Sequence, residues 1–243
     1  MVEIAKLKIA PAYQVVSEEL QKLIVGGQLK PGEQLPSETE LATQFGVNRS
    51  TVREGIRQLE SEGLLRREGR KRLLITVPTG QDISPRLERA LLLNDVRFSD
   101  LWEVARVLEP LSVSLLAGKI TGEQLDALDA NIEAMAKAVA AKKPADKLDT
   151  EFHTMLASFT GNRALVLARE PIGQLLFRPY VEIGRQLKQA PLRNLEAHRA
   201  IVKALRGGDG DEAVAWMERH LEDLHRGWLM AGRAFEDSIG QHQ

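Results

Sequence analysis

LPSETELATQFGVNRSTVREGIRQLESEG, residues 35–63, holds two helix starts with a sharp stop between them. Pro36-Ser37 opens the first: Ser37 is a favoured N-cap, and Glu40 three residues on completes a capping box. Leu41, Ala42 and Phe45 then line one helical face, and Gly46 stops the helix. Asn48 is a second N-cap, for a helix over Arg49–Ser61 that turns Val52, Ile56 and Leu59 inward. Two short helices joined by a tight turn make a helix-turn-helix.

Arg49 and Arg53 stand four residues apart on one face of the second helix, and Arg57 extends the row by a turn. In a helix-turn-helix, the first turns of the second helix meet base edges in the major groove. Arginine suits that place because its planar fork can bond guanine O6 and N7 together. Ser50 and Thr51, beside it, can reach phosphates or bases. A plain surface helix laced with salt bridges is the competing account, since Glu54 and Glu60 are also there. The flanking residues decide between them. Two strand-like runs, 64–67 and 73–77, enclose a basic tip with Gly69, the pattern of a hairpin wing, and Arg67 lies at its edge. From Arg49 to Arg72 eight basic residues face four acidic ones, whereas the whole chain carries a net charge of −1. Positive charge is therefore concentrated where a phosphate-facing surface needs it.

Taken together, Pro31-Gly32, Leu35-Pro36-Ser37-Glu38, Glu40-Leu41-Ala42, Gly46-Val47, Arg49-Ser50-Thr51-Val52-Arg53-Glu54 and Leu59…Glu62-Gly63-Leu64 resemble the N-terminal winged helix of GntR-family transcription regulators. The resemblance covers residues 13–77 and implies that Arg49 and Arg53 contact the operator, with Gly69 near the wing tip. Two departures stand out: Thr39 where many relatives have arginine, and Lys71 where a second wing glycine is usual.

The 243 residues suffice for two modest domains. Apolar content of 43% and charged content of 28% are those of an ordinary globular protein. Cysteine is absent, which excludes disulfides, thiolate metal sites and thiol nucleophiles. No apolar run reaches the length of a membrane span and Met1–Ala10 has no signal-peptide core, so the expected compartment is the cytoplasm.

Met1–Pro11 reads as a loose arm, and Ala12 to about Val25 as an amphipathic helix ended by Gly26-Gly27. Pro78–Pro85 has the composition of a linker. Beyond it no alternating strand run appears, and helices are expected near 86–93, 99–117, 121–141, 144–160, 162–176, 178–188, 193–206 and 210–235. The expected fold is mainly α: a winged helix-turn-helix over 1–78, a linker over 79–85, and an all-α helical bundle over 86–243.

Within that bundle, Leu148, Phe152, Leu156 and Phe159 form an apolar stripe, and Asp149 and His153 lie on the same inward side, within about 60° by helical phase. Asp and His at i and i+4 can present two ligands to one metal ion. His198 sits mid-stripe among Leu195, Ile201, Val202 and Leu205, and His220 among Ala213, Trp216, Met217 and Leu224. One inward histidine is usually a satisfied core residue. Four inward polar residues on three helices each need a buried partner, and a shared cation satisfies them together. His225 is turned about 140° from His220 and is expected at the surface, and His242 belongs to the tail.

Asp149-Thr150-Glu151-Phe152-His153, Thr160-Gly161-Asn162, His198 and His220 resemble the ligand-binding FCD domain of the fatty-acid-regulator branch of the same family, over about residues 86–235. That resemblance implies a divalent metal held by Asp149, His153, His198 and His220. It also implies, through Arg106-Val107-Leu108-Glu109-Pro110, that Arg106 faces the cavity and grips an effector carboxylate, for which a guanidinium offers two parallel hydrogen bonds. The plainer account pairs Arg106 with Glu103 or Glu109 on the helix edge.

These features add up to a metal-dependent, ligand-responsive repressor acting as a homodimer on pseudo-palindromic double-stranded DNA, since one helix-turn-helix offers few base contacts. Zn²⁺ is the expected metal, with Ni²⁺ or Mn²⁺ as alternatives, and a small organic acid the expected effector. Two rivals stay open: a purely structural metal, and a metal-dependent hydrolase or oxygenase. The enzyme would need a general base that no motif supplies, and a DNA-binding head would be superfluous to it.

Overall fold

The computed structural model describes residues 10–69, 72–177, 183 and 186–239. The expected N-terminal arm up to Ile9, the wing-tip pair Arg70-Lys71, most of the helix expected over 178–188, and His242 lie outside the described residues. The chain divides into two compact units, 1–83 and 84–243.

In the first unit, α1 (Ala12–Val25), α2 (Glu38–Phe45) and α3 (Arg49–Ser61) are followed by strands β1 (Leu65–Glu68) and β2 (Arg72–Ile75). The helix starts are chemical. Ser37 Oγ accepts from the Glu40 N–H while the Glu40 carboxylate accepts from the Ser37 N–H at 2.8 Å. Asn48 Oδ1 accepts from the Thr51 N–H at 2.9 Å, and Gly46 takes the left-handed conformation at φ 65° that closes α2.

β1 and β2 pair antiparallel, Leu65 opposite Ile75 and Glu68 opposite Arg72. The segment before α2 joins this ladder: the Leu35 N–H donates to the Leu73 carbonyl at 2.8 Å and the Ile75 N–H to the Glu33 carbonyl at 2.9 Å. Val16, Leu20, Leu35, Leu41, Val52, Ile56, Leu59, Leu65, Leu73 and Ile75 make one buried core from all these elements. Each such side chain contributes on the order of 1.5–3 kcal/mol by leaving water. The result is a helix-turn-helix with a hairpin wing, α3 seated on α1 and presenting its other face outward.

The stretch expected as a linker departs from that expectation, because α4 runs over Gly80–Leu93 with Pro85 inside it. The Asp82 carboxylate starts it, accepting from both the N–H and the hydroxyl of Thr79 at 2.7 Å. Gly, Ser and Pro gave the segment a loop's composition, but the helix runs on through Pro85, its sixth residue, at the cost of one rung of the ladder and crowding against the carbonyl four residues back.

The second unit is helical throughout its described residues: α5 (Phe98–Leu116), α6 (Gly122–Ala140), α7 (Asp146–Phe159), α8 (Arg163–Phe177), α9 (Ala190–Arg206) and α10 (Gly210–Met230). Thr121 caps α6 in a capping box with Gln124, and Asn162 Oδ1 accepts from the Leu165 N–H at the start of α8. Leu128, Phe152, Leu156, Ile201 and Met217 pack in the shared core. Among the described residues no helix is long and apolar enough to cross a membrane.

Candidate metal centre and nucleic-acid interface

α7 carries Asp149 and His153 one turn apart, α9 carries His198, and α10 carries His220. All four are buried, His153 and His198 with no exposed surface at all. Each offers one ligand atom, and these atoms lie within 4.8 Å of one another. His153 Nε2 faces His220 Nε2 at 3.1 Å, and His198 Nε2 stands 3.4 Å from Asp149 Oδ1. Two nitrogens bound tetrahedrally to zinc at its usual bond length stand roughly 3.3 Å apart.

Packing fixes the rings. His198 stacks on Phe152 with centroids 3.8 Å apart, and His153 stacks on Phe177 at 4.5 Å. Asp149 Oδ2 and both ring nitrogens of His198 find no hydrogen-bond partner among the described residues. Orphaned buried polar atoms of this kind are costly. A divalent cation among them would engage Asp149 and one ring nitrogen of His198 together, so the donor set fits a metal of the zinc, nickel or manganese type.

Electrostatics agree with neutral, ligating imidazoles. Burial pushes His198 well below the ordinary histidine range, reinforced by the neighbouring His220 and His153. Burial likewise brings His220 down to about 3, with the neighbouring His153 adding to it. Burial pushes the Asp149 carboxyl up, against the pull of His153 and a hydrogen bond donated by the Asn194 amide to Oδ1 at 2.7 Å.

Three residues beside the cluster escaped the sequence reading. Glu109 on α5 accepts from His153 Nδ1 at 2.9 Å through Oε2, and from Arg169 Nε on α8 at 2.7 Å through Oε1. Arg169 Nη1 donates to the Thr154 hydroxyl at 2.9 Å, and Asn194 on α9 holds Asp149. Burial alone would raise the Glu109 carboxyl, but the Arg169 guanidinium and the hydrogen-bonded His153 ring beside it outweigh it and hold it at about 2. A signal existed: Leu101, Ala105, Glu109 and Val113 repeat every four residues on the buried face of α5.

That repeat corrects the expectation for Arg106. It lies about 100° round the helix from Ala105 and about 60° from Glu109, at the edge of that buried line. Its side chain is exposed, with the guanidinium over the Trp102 ring at 4.9 Å from the centroid, not in the interior. Pairing with Glu103 or Glu109 on the helix edge, the plainer account, is not seen either. The buried guanidinium near the cluster is that of Arg169, 2% exposed. His225 differs from expectation too: it is half-buried, 5.1 Å from the Trp102 ring and 4.2 Å from that of Phe235.

In the first unit Arg49, Ser50, Arg53 and Arg57 are exposed along α3, with Thr51 half-buried beside them. Arg53 grips the Glu38 carboxylate through Nε and Nη2, the latter at 2.9 Å, and Arg49 Nη2 lies 3.6 Å from the same carboxylate. Those hydrogen bonds, Arg53's foremost, hold the Glu38 carboxyl below its ordinary range. Arg57 pairs with Glu54, and Arg67 on the wing with Glu60, each at 3.2 Å. The Ser50 and Thr51 hydroxyls both donate to Asn48 Oδ1, at the helix start. Gly69 follows β1 at φ 65°.

A winged helix-turn-helix on one unit and a helical bundle with a buried polar cluster on the other define a two-domain DNA-binding regulator. Sequence comparison agrees. The family described as bacterial regulatory proteins, gntR family, matches residues 12–75, and the FCD domain matches residues 100–223. HTH-type transcriptional regulator LutR of Bacillus subtilis (strain 168) is 32% identical over 215 residues, covering 85% of this chain and 98% of that protein. HTH-type transcriptional repressor NanR of Cronobacter sakazakii is 28% identical over 220 residues, covering 88% and 84%. Among solved structures, Streptococcus agalactiae GntR matches with a TM-score of 0.65 and 31% identity, covering 88% of this chain and 99% of that one. The chain belongs to the GntR family of transcription regulators, in the group whose second domain is an FCD domain.

Proposed function

We propose that this regulator is a metal-dependent repressor whose FCD domain holds a divalent cation, zinc first, through Asp149, His153, His198 and His220. The cation would supply a Lewis-acidic anchor for the carboxylate of a small organic acid, whose binding in that domain would alter operator affinity. The observation that carries this is the convergence of four buried ligand atoms from three helices within 4.8 Å, with Asp149 Oδ2 and the His198 nitrogens lacking a hydrogen-bond partner among the described residues. Repression is the role named for the relative NanR.

On the DNA side, Arg49, Ser50, Thr51, Arg53 and Arg57 would read and clamp the major groove, with Arg67 and Gly69 of the wing on the adjacent backbone. A homodimer would place two such heads on a pseudo-palindromic site in the cytoplasm, the 1–78 head binding DNA and the domain from residue 86 sensing. The effector regulates only if it prefers one arrangement of the two heads.

Elemental analysis of purified, untagged protein beside the four single alanine variants tests the metal. About one metal per chain is expected by ordinary site occupancy, lost in the variants. Operator binding of the loaded protein, titrated with a panel of organic acids, tests the effector. Metal without any response to acids would leave the cation a structural role only.

A further inference from the structure

Each imidazole in a metal site must turn one nitrogen inward without its proton, and something must decide which one. For His153 the structure names it. Its Nδ1 points away from the cluster to Glu109 Oε2 at 2.9 Å, while Nε2 points to the other ligands, 3.1 Å from His220 Nε2. Glu109 faces the Arg169 guanidinium at 2.7 Å, so it is a carboxylate and can only accept. The proton of a neutral His153 therefore sits on Nδ1, and the Nε2 lone pair is left for a cation.

Glu109 is itself held. Arg169 Nε donates to its other oxygen, Arg169 Nη1 donates to the Thr154 hydroxyl at 2.9 Å, and that hydroxyl donates to the Thr150 carbonyl at 2.9 Å. Thr154 is the neighbour of His153 on α7, so the chain of bonds returns to the helix it started from. α8 makes room for the guanidinium at Gly173, where an added Cβ would come 2.6 Å from Arg169 Nη2. Carboxylate, guanidinium and hydroxyl, from three helices, close a buried ring of bonds behind one ligand.

We infer that Glu109, locked by Arg169 and Thr154, is the positioning residue that fixes His153 as an Nδ1–H, Nε2-ligating imidazole. This rests on the metal reading above for its consequence, but not for its geometry. A carboxylate behind a ligating histidine fixes the ring and raises its basicity, and losing one typically costs about 10- to 100-fold in metal affinity.

The test uses the full-length protein, Glu109→Gln, and the double variant Glu109→Leu/Arg169→Leu. The double variant leaves no buried charge unpaired, and so guards against a mere failure to fold. Two quantities are measured: zinc affinity by competition with a chelator, and the protonated nitrogen of His153 by ¹⁵N NMR of the metal-free protein. The wild type is expected to show the proton on Nδ1. Zinc affinity is expected to fall about 10- to 100-fold in the double variant, and less in Glu109→Gln, whose amide oxygen still accepts. A proton on Nε2 in the wild type, or unchanged zinc affinity in a folded double variant, overturns the assignment. If the wild type binds no zinc at all, the metal reading fails by itself, and the NMR result alone decides whether Glu109 sets the ring.

Discussion

His153 and His220 meet ring to ring, Nε2 to Nε2, at 3.1 Å with no exposed surface on the first and very little on the second. Two imidazole nitrogens at that distance either share one proton or present two lone pairs to a common cation. The second would also engage one ring nitrogen of His198, which finds no hydrogen-bond partner among the described residues. Zinc at one hundred times its dissociation constant should then stabilise the native state by about 2.7 kcal/mol. Denaturant melts with zinc and with a chelator measure this directly. Equal midpoints in the two would sink the metal site, and His220→Ala should abolish any difference.

In the metal-stripped protein the same cluster predicts acid sensitivity. His220 lies at about 3 in the fold, against an ordinary 6.5, and His198 is displaced in the same direction. As pH falls below about 6.5, the unfolded chain takes up protons that the folded one refuses, so stability falls. Each histidine contributes a slope of up to about 1.4 kcal/mol per pH unit, ending near its folded value. Glu109, held at about 2, acts in the same direction below 4.5, while Asp149, pushed up by burial, opposes it between its raised folded value and 3.8. Stability measured from pH 7.5 to pH 4 should decline. A flat or rising profile would mean that the histidines are not buried as described.

Arg106 gives a prediction of no effect. Its guanidinium lies over an exposed edge of Trp102, so Arg106→Ala should change stability by no more than about 0.5–1 kcal/mol. The response of operator binding to organic acids should also survive. Loss of that response with metal content intact would return Arg106 to the effector site and contradict its place on the outer face of α5.

Much of this was legible in the chain because it is local. The capping box of Ser37 and Glu40, the Asn48 cap and the Gly46 stop are interactions within four residues, so sequence spacing nearly specifies them. The inward Asp149 and His153 follow from one helical period. Glu109 and Arg169 did not stand out, because their partners lie 44 and 60 residues away, and a charged residue on a helix is ordinarily solvated. Motif resemblance pointed to Arg106, where helical phase alone would have preferred its neighbours 105 and 109. The helix that begins within the linker was hidden by its composition, since Thr79 and Asp82 start a helix that Pro85 does not stop, while the division between the two units at 83/84 falls inside 79–85.

On α3, Arg49 and Arg53 share the Glu38 carboxylate, which operator phosphates or guanines bound there would displace. Arg49→Ala and Arg53→Ala should each cost about 1–3 kcal/mol of specific operator binding at fixed salt. Arg57→Ala, further along the helix, should weaken binding across sequences and reduce the dependence of log K on log salt by about one. Gel-shift or fluorescence titrations at several salt concentrations separate the two effects. Unchanged affinity in the Arg49 variant would mean that α3 enters the groove in another register.

Gly55 is the smallest residue of α3 and sets how closely that helix meets α1. An added Cβ would stand 3.0 Å from the Tyr13 carbonyl oxygen and 3.2 Å from Val16 Cγ1. Its backbone is helical, so alanine there gains about 1 kcal/mol of intrinsic helix propensity. The contact opposes this gain, because Tyr13 O is backbone and cannot rotate aside as a side chain would. Overpacking of a close helix contact typically costs about 1–3 kcal/mol, which exceeds the gain over most of that range. Gly55→Ala should therefore lower the unfolding midpoint of the DNA-binding unit and, by tilting α3, weaken operator binding with it. A variant more stable than the wild type would show that α1 yields at this contact, and that the close approach of the two helices does not hold the recognition helix in place.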